Sequence, residues 1–147
     1  MYPEIMVVPM REELTRLGIE ELRSAADVDN FVGGGADSDT KMIVVNSICG
    51  CAAGRMRPAV RLALQNANKP SRIATVFAGQ DHEATARARA HFAGQPPSSP
   101  SIAILRDGKV IYMMHRHQIE TREAAAIAAD LKAAFDQTCT APSAAHK

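Results

Sequence analysis

Cysteine is scarce in this sequence: the chain has three cysteines among 147 residues, and it has no tryptophan. Three thiols cannot build the dense disulfide framework of small secreted domains, so that class of protein is excluded. The start of the chain, MYPEIMVVPM, places an acidic residue before a very short apolar run, unlike a secretory signal. We therefore expect a cytoplasmic protein, in which a close pair of cysteines is catalytic or metal-binding rather than structural.

The sequence also lacks a long hydrophobic run and an excess of charge. No apolar stretch approaches the roughly 20 residues that a membrane span needs. The 17 lysines and arginines nearly balance the 16 acidic residues, which gives a net charge of +1. Proteins that bind polyanions usually carry a large excess of lysine and arginine, and this sequence has no such excess. We therefore expect neither a nucleic acid nor a membrane among the partners.

The length of the chain predicts one domain with a sizeable core. We place this domain at residues 1–139. The last eight residues, TAPSAAHK at 140–147, are small and polar and predict a disordered tail.

The N-terminal residues predict a helical extension ahead of the core. Residues 5–9, IMVVP, form a short apolar segment. Met10, Leu14 and Leu17 then follow at helical spacing, and Gly18 stands where a helix would stop.

A second helix is predicted to begin at Ser24, because Ser24 followed by Asp27 resembles a capping box with the shorter acid. The glycine-rich stretch GGGADSDT, residues 33–40, predicts a loop. Phosphate-binding loops run from a strand into a helix, whereas this loop runs from a helix into a strand. A phosphate site is therefore not expected there.

From residue 41 onward, strand and helix patterns alternate. The predicted order is strand 41–47, a helix after the cysteines, strand 72–78, a second helix, two hairpin strands and a long alanine-rich helix. Pro58 predicts a kink in the first of these helices, and Asp81 is expected to cap the second. Asp107-Gly108 is a strong hairpin signal.

This order predicts an α/β fold of thioredoxin-like plan, with a central four-stranded mixed sheet flanked by helices. Two strands joined by a helix pair in parallel through a right-handed crossover, and the hairpin then adds two antiparallel strands. In this plan a proline precedes the first hairpin strand and packs beside the cysteines. Ser99-Pro100 holds that place, so we expect a cis Ser99-Pro100 bond as support for the active site.

The stretch NSICGCAAGRMRP places Cys49 and Cys51 at the end of the first core strand and at the start of a helix. Unpaired N–H groups at a helix N-terminus stabilise a thiolate and lower its pKa, so Cys49 is the predicted nucleophile. Cys51 is placed to attack a mixed disulfide formed on Cys49. Gly50 is expected to take backbone angles that other residues avoid. Arg55 and Arg57, within the next two turns, either add positive potential near this thiolate or are solvated surface charges.

Other interpretations of the thiols remain open. Both cysteines could be small buried hydrophobic residues. Alternatively, the cysteine pair could join His115 and His117 in a zinc site, although the strands that carry them are not neighbours and lie roughly 10 Å apart. The histidines otherwise belong to the rim or contact substrate. Cys139 either exchanges with the thiols of partner proteins or is an exposed thiol without a redox role.

The sequence resembles the bacilliredoxin family, bacterial thioredoxin-like proteins with a CGC active site. The resemblance covers about residues 5–139, and it is carried by the following stretches: MVVPMREELTRLG, MIVVNSICGCAAGRMRP, TVFAGQDHEATARARAHFAGQPPSSPSIAIL, RHQIE and AAFDQTC. It implies reduction of mixed disulfides between client proteins and the small thiol bacillithiol. The first cysteine attacks and the second resolves, and these roles carry to Cys49 and Cys51. Cys139 aligns with a terminal cysteine of the family.

The resemblance does not fix the identity of the small thiol, and a general disulfide oxidant or isomerase, a metal-binding module and a redox-regulated interaction protein stay open. No cofactor is expected. We also expect that Arg116, together with Arg55 or Arg57, pairs with carboxylates of a small-thiol substrate, because these basic residues are predicted around the cysteine end of the sheet.

Overall fold

A computed structural model of the chain describes residues 1–34 and 39–139. The elements follow in this order: α1 (Glu4–Thr15), β1 (Glu20–Glu21), α2 (Ala25–Gly33), β2 (Thr40–Asn46), a π-helix (Ala52–Met56), α3 (Arg57–Ala63), β3 (Arg72–Phe77), α4 (His82–Ala90), β4 (Ser101–Arg106), β5 (Lys109–Met114), α5 (Arg116–Glu120) and α6 (Ala124–Thr138). The predicted tail 140–147 lies outside the described residues, as do residues 35–38 of the predicted glycine-rich loop. The domain boundary at residue 139 stays a prediction.

In the described part of the chain, the sheet has five strands in the order β1-β3-β2-β4-β5. β2 runs parallel to β3 and antiparallel to β4, and β5 pairs antiparallel with β4. The α/β fold and these four strands confirm the prediction. The count of four was wrong, because Glu20–Glu21 adds a two-residue edge strand parallel to β3. Two acidic residues carry no strand pattern of their own, so only the pairing with β3 makes them a strand.

The two faces of the sheet bury separate apolar cores. On β2, Met42 and Val44 pack with the π-helix, α3 and α6, whereas Ile43 and Val45 pack with α2 and α4. This alternation follows from the two-residue period of a strand. Because both faces are covered, β2 is buried along its whole length and its carboxyl end is held rigidly.

Helix α1 begins earlier than predicted. The segment at residues 5–9 is not separate from the helix, because α1 runs from Glu4 through Pro9 to Thr15. Val7, Arg11 and Leu14 form its buried face at helical spacing, and this burial outweighs the backbone hydrogen bond that Pro9 cannot donate.

An ion-pair cluster holds α1 against the sheet. The buried guanidinium of Arg11 binds both carboxylate oxygens of Asp81, at 2.6 and 3.0 Å, and it also contacts Glu4 at 2.8 Å. Asp81 precedes α4 as predicted, but its side chain accepts no hydrogen bond from the first turn of that helix and binds Arg11 instead. The predicted cap at Ser24 is confirmed, since Ser24 Oγ accepts from the N–H of Asp27.

Where the sequence predicted a kink at Pro58, the structure has a π-helix that ends two residues before this proline. Residues Ala52–Met56 form the π-helix, and Pro58 lies in the first turn of α3. The π-helix runs directly into α3, so the helical geometry changes next to a proline that cannot donate a backbone hydrogen bond to the preceding turn. No helix in the described part of the chain is long and apolar enough to cross a membrane.

Candidate functional site

The cysteine loop leaves the buried carboxyl end of β2 and is held there by side-chain hydrogen bonds. The N–H of Ser47 donates to Asn46 Oδ1 at 2.9 Å, and the N–H of Cys49 donates to Ser47 Oγ at 3.2 Å. Asn46 also donates through Nδ2 to the carbonyl of Met10 in α1, at 3.2 Å. The position of Cys49 is therefore fixed from both its own strand and the N-terminal helix.

Cys49 caps the helix that follows it. Its carbonyl accepts hydrogen bonds from Ala52 and Ala53, at 2.9 and 3.1 Å, and its Sγ accepts from the N–H of Cys51 at 3.3 Å. Burial opposes ionisation of this thiol. The N–H and the side chain of Cys51, the charge of Arg116 and the N–H of Ala52 outweigh it, so that the pKa of Cys49 is lowered.

Cys51 has the opposite tendency. Burial raises the pKa of Cys51, and the side-chain hydrogen bond and negative charge of Cys49 raise it further, against the opposing charge of Arg116. Both thiols are free and half-buried. The environment thus favours a thiolate at Cys49 beside a protonated thiol at Cys51.

Gly50 departs from the prediction. Its φ is not in the positive range, whereas Gly18, Gly79, Gly94 and Gly108 have positive φ. A Cβ built on Gly50 would meet no atom within 4 Å. In this reduced state, neither the backbone conformation nor crowding requires a glycine between the two cysteines.

Arg116 stands beside the cysteine pair. Its Nη2 donates to Cys51 Sγ at 3.9 Å, its Nη1 donates to the carbonyl of Ser99 at 3.2 Å, and its Nε donates to Glu120 at 3.3 Å. The Arg116 side chain remains 43% exposed. It therefore joins the thiols to the loop before β4 and still presents a positive surface to solvent.

The loop before β4 has the predicted conformation, because the Ser99-Pro100 bond is cis. Pro100 is buried, and Ser101 Oγ donates to the carbonyl of Ser98 at 2.9 Å. The bond between Arg116 and Ser99 links this loop to the cysteine pair. Arg116 thus bridges the carbonyl of Ser99 and the Sγ of Cys51.

His115 and His117 do not lie on a strand end as expected. β5 ends at Met114, and His115 precedes the short helix α5 because Gln118 Oε1 accepts its N–H at 2.9 Å. The His115 ring is held by Ser98 Oγ at 2.9 Å from Nδ1 and by Gln95 Oε1 at 2.8 Å from Nε2. Burial, and then the charge of His117, lower the pKa of His115, which favours the neutral ring.

The described side chains do not come together as the zinc interpretation requires. Within residues 1–34 and 39–139, no three histidine, cysteine, aspartate or glutamate side chains come close enough together to hold a metal ion. Both ring nitrogens of His115 are already engaged by Ser98 and Gln95.

Arg57 is turned into the protein rather than toward a substrate. Its side chain is 2% exposed. Its Nη1 donates to Asn46 Oδ1 at 2.8 Å and to the carbonyl of Ser47 at 3.0 Å, and its Nε pairs with Glu13 at 3.0 Å. The expected substrate contact is therefore replaced by a structural one, in which Arg57 fixes the start of the cysteine loop.

Arg55 lies on the π-helix and is half-buried. Its Nη1 donates to the carbonyl of Arg122 at 2.6 Å, just ahead of α6. The hydrogen bonds and charges that most shift the pKa of Cys49 come from Cys51, Arg116 and Ala52. The Arg55 side chain lines the space between the π-helix and α6.

Cys139 is far from the other two thiols. It is buried and follows α6, where Arg106 donates to the carbonyl of the preceding Thr138. Arg106 pairs with Thr40 at the start of β2, whereas the cysteine loop leaves β2 after Asn46 at the other end. Seven strand residues separate the two ends by about 20 Å. Cys139 cannot reach the pair without a large rearrangement of the fold.

Sequence reasoning missed the polar residues that support the site. Asn46 and Ser47 are buried at the end of β2, and Glu120 lies four residues after Arg116. Two signals were available. A polar pair directly after an apolar strand needs hydrogen-bond partners, and an Arg–Glu spacing of four residues is typical of a helical ion pair.

Solved structures with the same fold are known. A thioredoxin of Malassezia sympodialis has a TM-score of 0.55 at 12% identity, over 83% of this chain and 91% of its own. A second structure with a thioredoxin fold has a TM-score of 0.59 at 12% identity, over 81% of this chain and 98% of its own. The molecule is thus a thioredoxin-fold protein with a CXC pair of thiols.

Sequence comparison narrows this class to a family. A family profile described as disulphide isomerase matches residues 2–139. A bacilliredoxin of Koribacter versatilis is 62% identical over 141 residues, which cover 96% of this chain and 96% of that protein. A bacilliredoxin of Geobacillus kaustophilus is 48% identical over 139 residues, which cover 95% and 93%. The chain belongs to the bacilliredoxin family, as the sequence motifs indicated, and it is a thiol–disulfide oxidoreductase.

Proposed function

We propose that this protein removes a low-molecular-weight thiol from mixed disulfides on cytoplasmic proteins, with Cys49 as the attacking thiol and Cys51 as the resolving thiol. The observation that carries the proposal is the opposite shift of the two pKa values, lowered at Cys49 and raised at Cys51. Since the thiolate is the nucleophile in disulfide exchange, the first attack belongs to Cys49.

In the first step, the Cys49 thiolate attacks the sulfur of the small thiol in the mixed disulfide. A disulfide forms between Cys49 and the small thiol, while the bond to the client sulfur breaks. The client cysteine leaves as a thiolate and takes a proton from water. Arg116 supports this step, because its charge favours the Cys49 thiolate and its guanidinium is exposed enough to meet a substrate carboxylate.

In the second step, Cys51 loses its proton and attacks Cys49 Sγ. The Cys49–Cys51 disulfide forms and the small thiol departs as a thiolate. Once Cys49 is in a disulfide its negative charge is gone, so one of the influences that raises the pKa of Cys51 disappears. The mixed disulfide, now separated into the client thiol and the small thiol, has gained two electrons, and the cysteine pair has lost two. A thiol reductant must restore the pair.

We propose bacillithiol as the small thiol, because the relatives are named bacilliredoxins. The test compares one client protein that carries either bacillithiol or glutathione on the same cysteine. We expect faster release of bacillithiol, measured by intact mass at limiting enzyme. Equal release rates would contradict a preference for bacillithiol but would be consistent with a thiol–disulfide oxidoreductase. If neither thiol is released, the protein does not remove small thiols from client proteins, and the proposed function is rejected.

A second candidate function is disulfide isomerisation, which is favoured by the description of the matching family profile. An isomerase needs Cys49 to attack a client disulfide and to be displaced by another client thiol. Refolding of a scrambled multi-disulfide protein distinguishes the two. An isomerase retains activity in the Cys51→Ser variant, whereas removal of small thiols from clients stalls there.

A further inference from the structure

A pocket of about 570 Å³ opens beside the cysteine pair, between the π-helix and the start of α6. It is lined by Gly50, Gly54, Arg55, Glu123, Ala124 and Ala125. Its volume falls within the range of small-molecule sites in proteins. Gly50 lies between the two cysteines, and neighbouring Cα atoms are about 3.8 Å apart, so the pocket begins next to the residues that carry both sulfurs.

Two glycines keep this pocket open. Neither Gly50 nor Gly54 has a positive φ, and a Cβ on either would meet no atom within 4 Å. Gly54 lies inside the π-helix, where alanine is ordinarily more stable than glycine. Backbone geometry and packing therefore do not account for these glycines, whereas a need for free space beside the thiols does.

The pocket also has opposite charges on its two sides. Arg55 is half-buried and anchored by one hydrogen bond, from its Nη1 to the carbonyl of Arg122 at 2.6 Å. Glu123 is exposed on the α6 side. Among the salt bridges of the described residues, none involves either side chain, although the two line the same pocket. Both charges are thus available to a ligand that carries the complementary groups.

We propose that this pocket binds the low-molecular-weight thiol of the mixed disulfide, with a carboxylate of the thiol at Arg55 and its ammonium group at Glu123. The proposal rests on the function proposed above and adds the chemical class of the thiol, a zwitterion rather than a neutral or purely anionic molecule. While the thiol is joined to Cys49, the pocket holds its polar body away from Cys51. The resolving sulfur then has a clear approach to Cys49 Sγ.

The test uses one fluorogenic peptide disulfide in four forms. Its cysteine is joined to glutathione, to glutathione diethyl ester, to N-acetylglutathione or to N-acetylglutathione diethyl ester. These four thiols differ in whether their carboxylates and amine are blocked, but the atoms around the sulfur are the same, so their intrinsic exchange rates are closely matched. The rate at which dithiothreitol reduces each disulfide corrects for any remaining difference. We expect kcat/KM to fall about five-fold when either group is blocked, and further when both are blocked.

Two charge variants assign the groups. Glu123→Gln is expected to abolish the preference for a free amine and to keep the preference for carboxylates. Arg55→Gln is expected to weaken the preference for carboxylates, of which Arg116 retains a part, and to keep the preference for a free amine. If either variant shows both preferences unchanged, the pocket does not bind the thiol in this way and the proposal is overturned.

A filling variant provides a test that does not depend on Arg55. Gly54→Leu is expected to raise KM for the glutathione form at least five-fold, whereas Ala53→Leu, at an exposed neighbour that does not line the pocket, should leave KM unchanged. Equal effects of the two leucines would overturn the proposal. If wild-type protein reduces all four disulfides at one rate, the subsite fails while the oxidoreductase function stands. If it reduces none of the four but still releases bacillithiol from the modified client protein, the subsite fails. If it releases neither thiol, the proposed function itself fails.

Discussion

The guanidinium of Arg116 lies 3.9 Å from Cys51 Sγ, although 65 residues separate the two in the chain. Helix α5 makes this contact, since it carries Arg116 from the end of β5 back over the cysteine pair. The positive charge favours the thiolate at Cys49 and partly offsets the raised pKa of Cys51. One side chain therefore acts on both thiols.

Replacing Arg116 with glutamine is expected to raise the pKa of Cys49, because the charge that favours its thiolate is lost. At neutral pH, the first exchange step should slow about three-fold with an uncharged disulfide and more with a carboxylate-bearing one. Thiolate absorbance at 240 nm against pH measures the pKa, and Arg116→Lys, which keeps the charge, is the control. An unchanged titration in Arg116→Gln would show that the arginine does not tune Cys49.

The two cysteines should differ in the pH at which they are alkylated. The pKa of Cys49 is lowered and that of Cys51 is raised from an ordinary value of 9.0, so the Cys49 thiolate forms first as pH rises. Initial iodoacetamide rates, mapped by peptide mass, should therefore rise at lower pH for Cys49 than for Cys51. Earlier modification of Cys51 would reverse the assignment of the nucleophile.

Arg57 is expected to matter for stability, because it is buried and holds the cysteine loop. Arg57→Met removes the hydrogen bonds to Asn46 and Ser47, and should lower the free energy of unfolding by about 2–4 kcal/mol. Glu13→Gln is the matched control, since its carboxylate is 49% exposed and its loss should cost less than ~1 kcal/mol. Urea unfolding measures both, and equal losses would contradict the buried role of Arg57.

Cys139 is expected to be a bystander in the folded protein, since it lies at the other end of β2 from the cysteine pair. A small-thiol adduct on the Cys51→Ser variant should therefore persist whether or not Cys139 is also replaced by alanine. Intact mass followed over time measures this. Clearance of the adduct only while Cys139 is present would show that this thiol reaches Cys49 after all.

Much of the fold could be predicted because its signals are local. The strands β2 to β5 read as apolar runs, and Asp107-Gly108 marks the hairpin, where both residues do have positive φ. The start of α1 and the strand β1 could not be predicted. The start of α1 depends on burial against the sheet, helped by an ion pair between Arg11 and Asp81, which are 70 residues apart. The strand β1 exists only because it pairs with β3.

The residues of the candidate site likewise fall into those that could be predicted from the sequence and those that could not. Cys49 and Cys51 could be found because their spacing and their place after a strand are visible in the sequence. The burial of Arg57 could not be foreseen, because an arginine in an early helical turn looks the same whether it faces solvent or the core. The course of the chain at His115 depends on Gln118 and on Ser98, 17 residues away from His115, so α5 was missed.

The division of work between Cys49 and Cys51 is tested most directly by intact-mass measurement of two variants after exposure to a client protein that carries a small thiol. We predict that Cys51→Ser takes the thiol from the client and retains it as a stable adduct on Cys49, because the resolving sulfur is missing. We also predict that Cys49→Ser leaves the client modified. An adduct on Cys49→Ser together with none on Cys51→Ser would show that the two cysteines have the opposite roles.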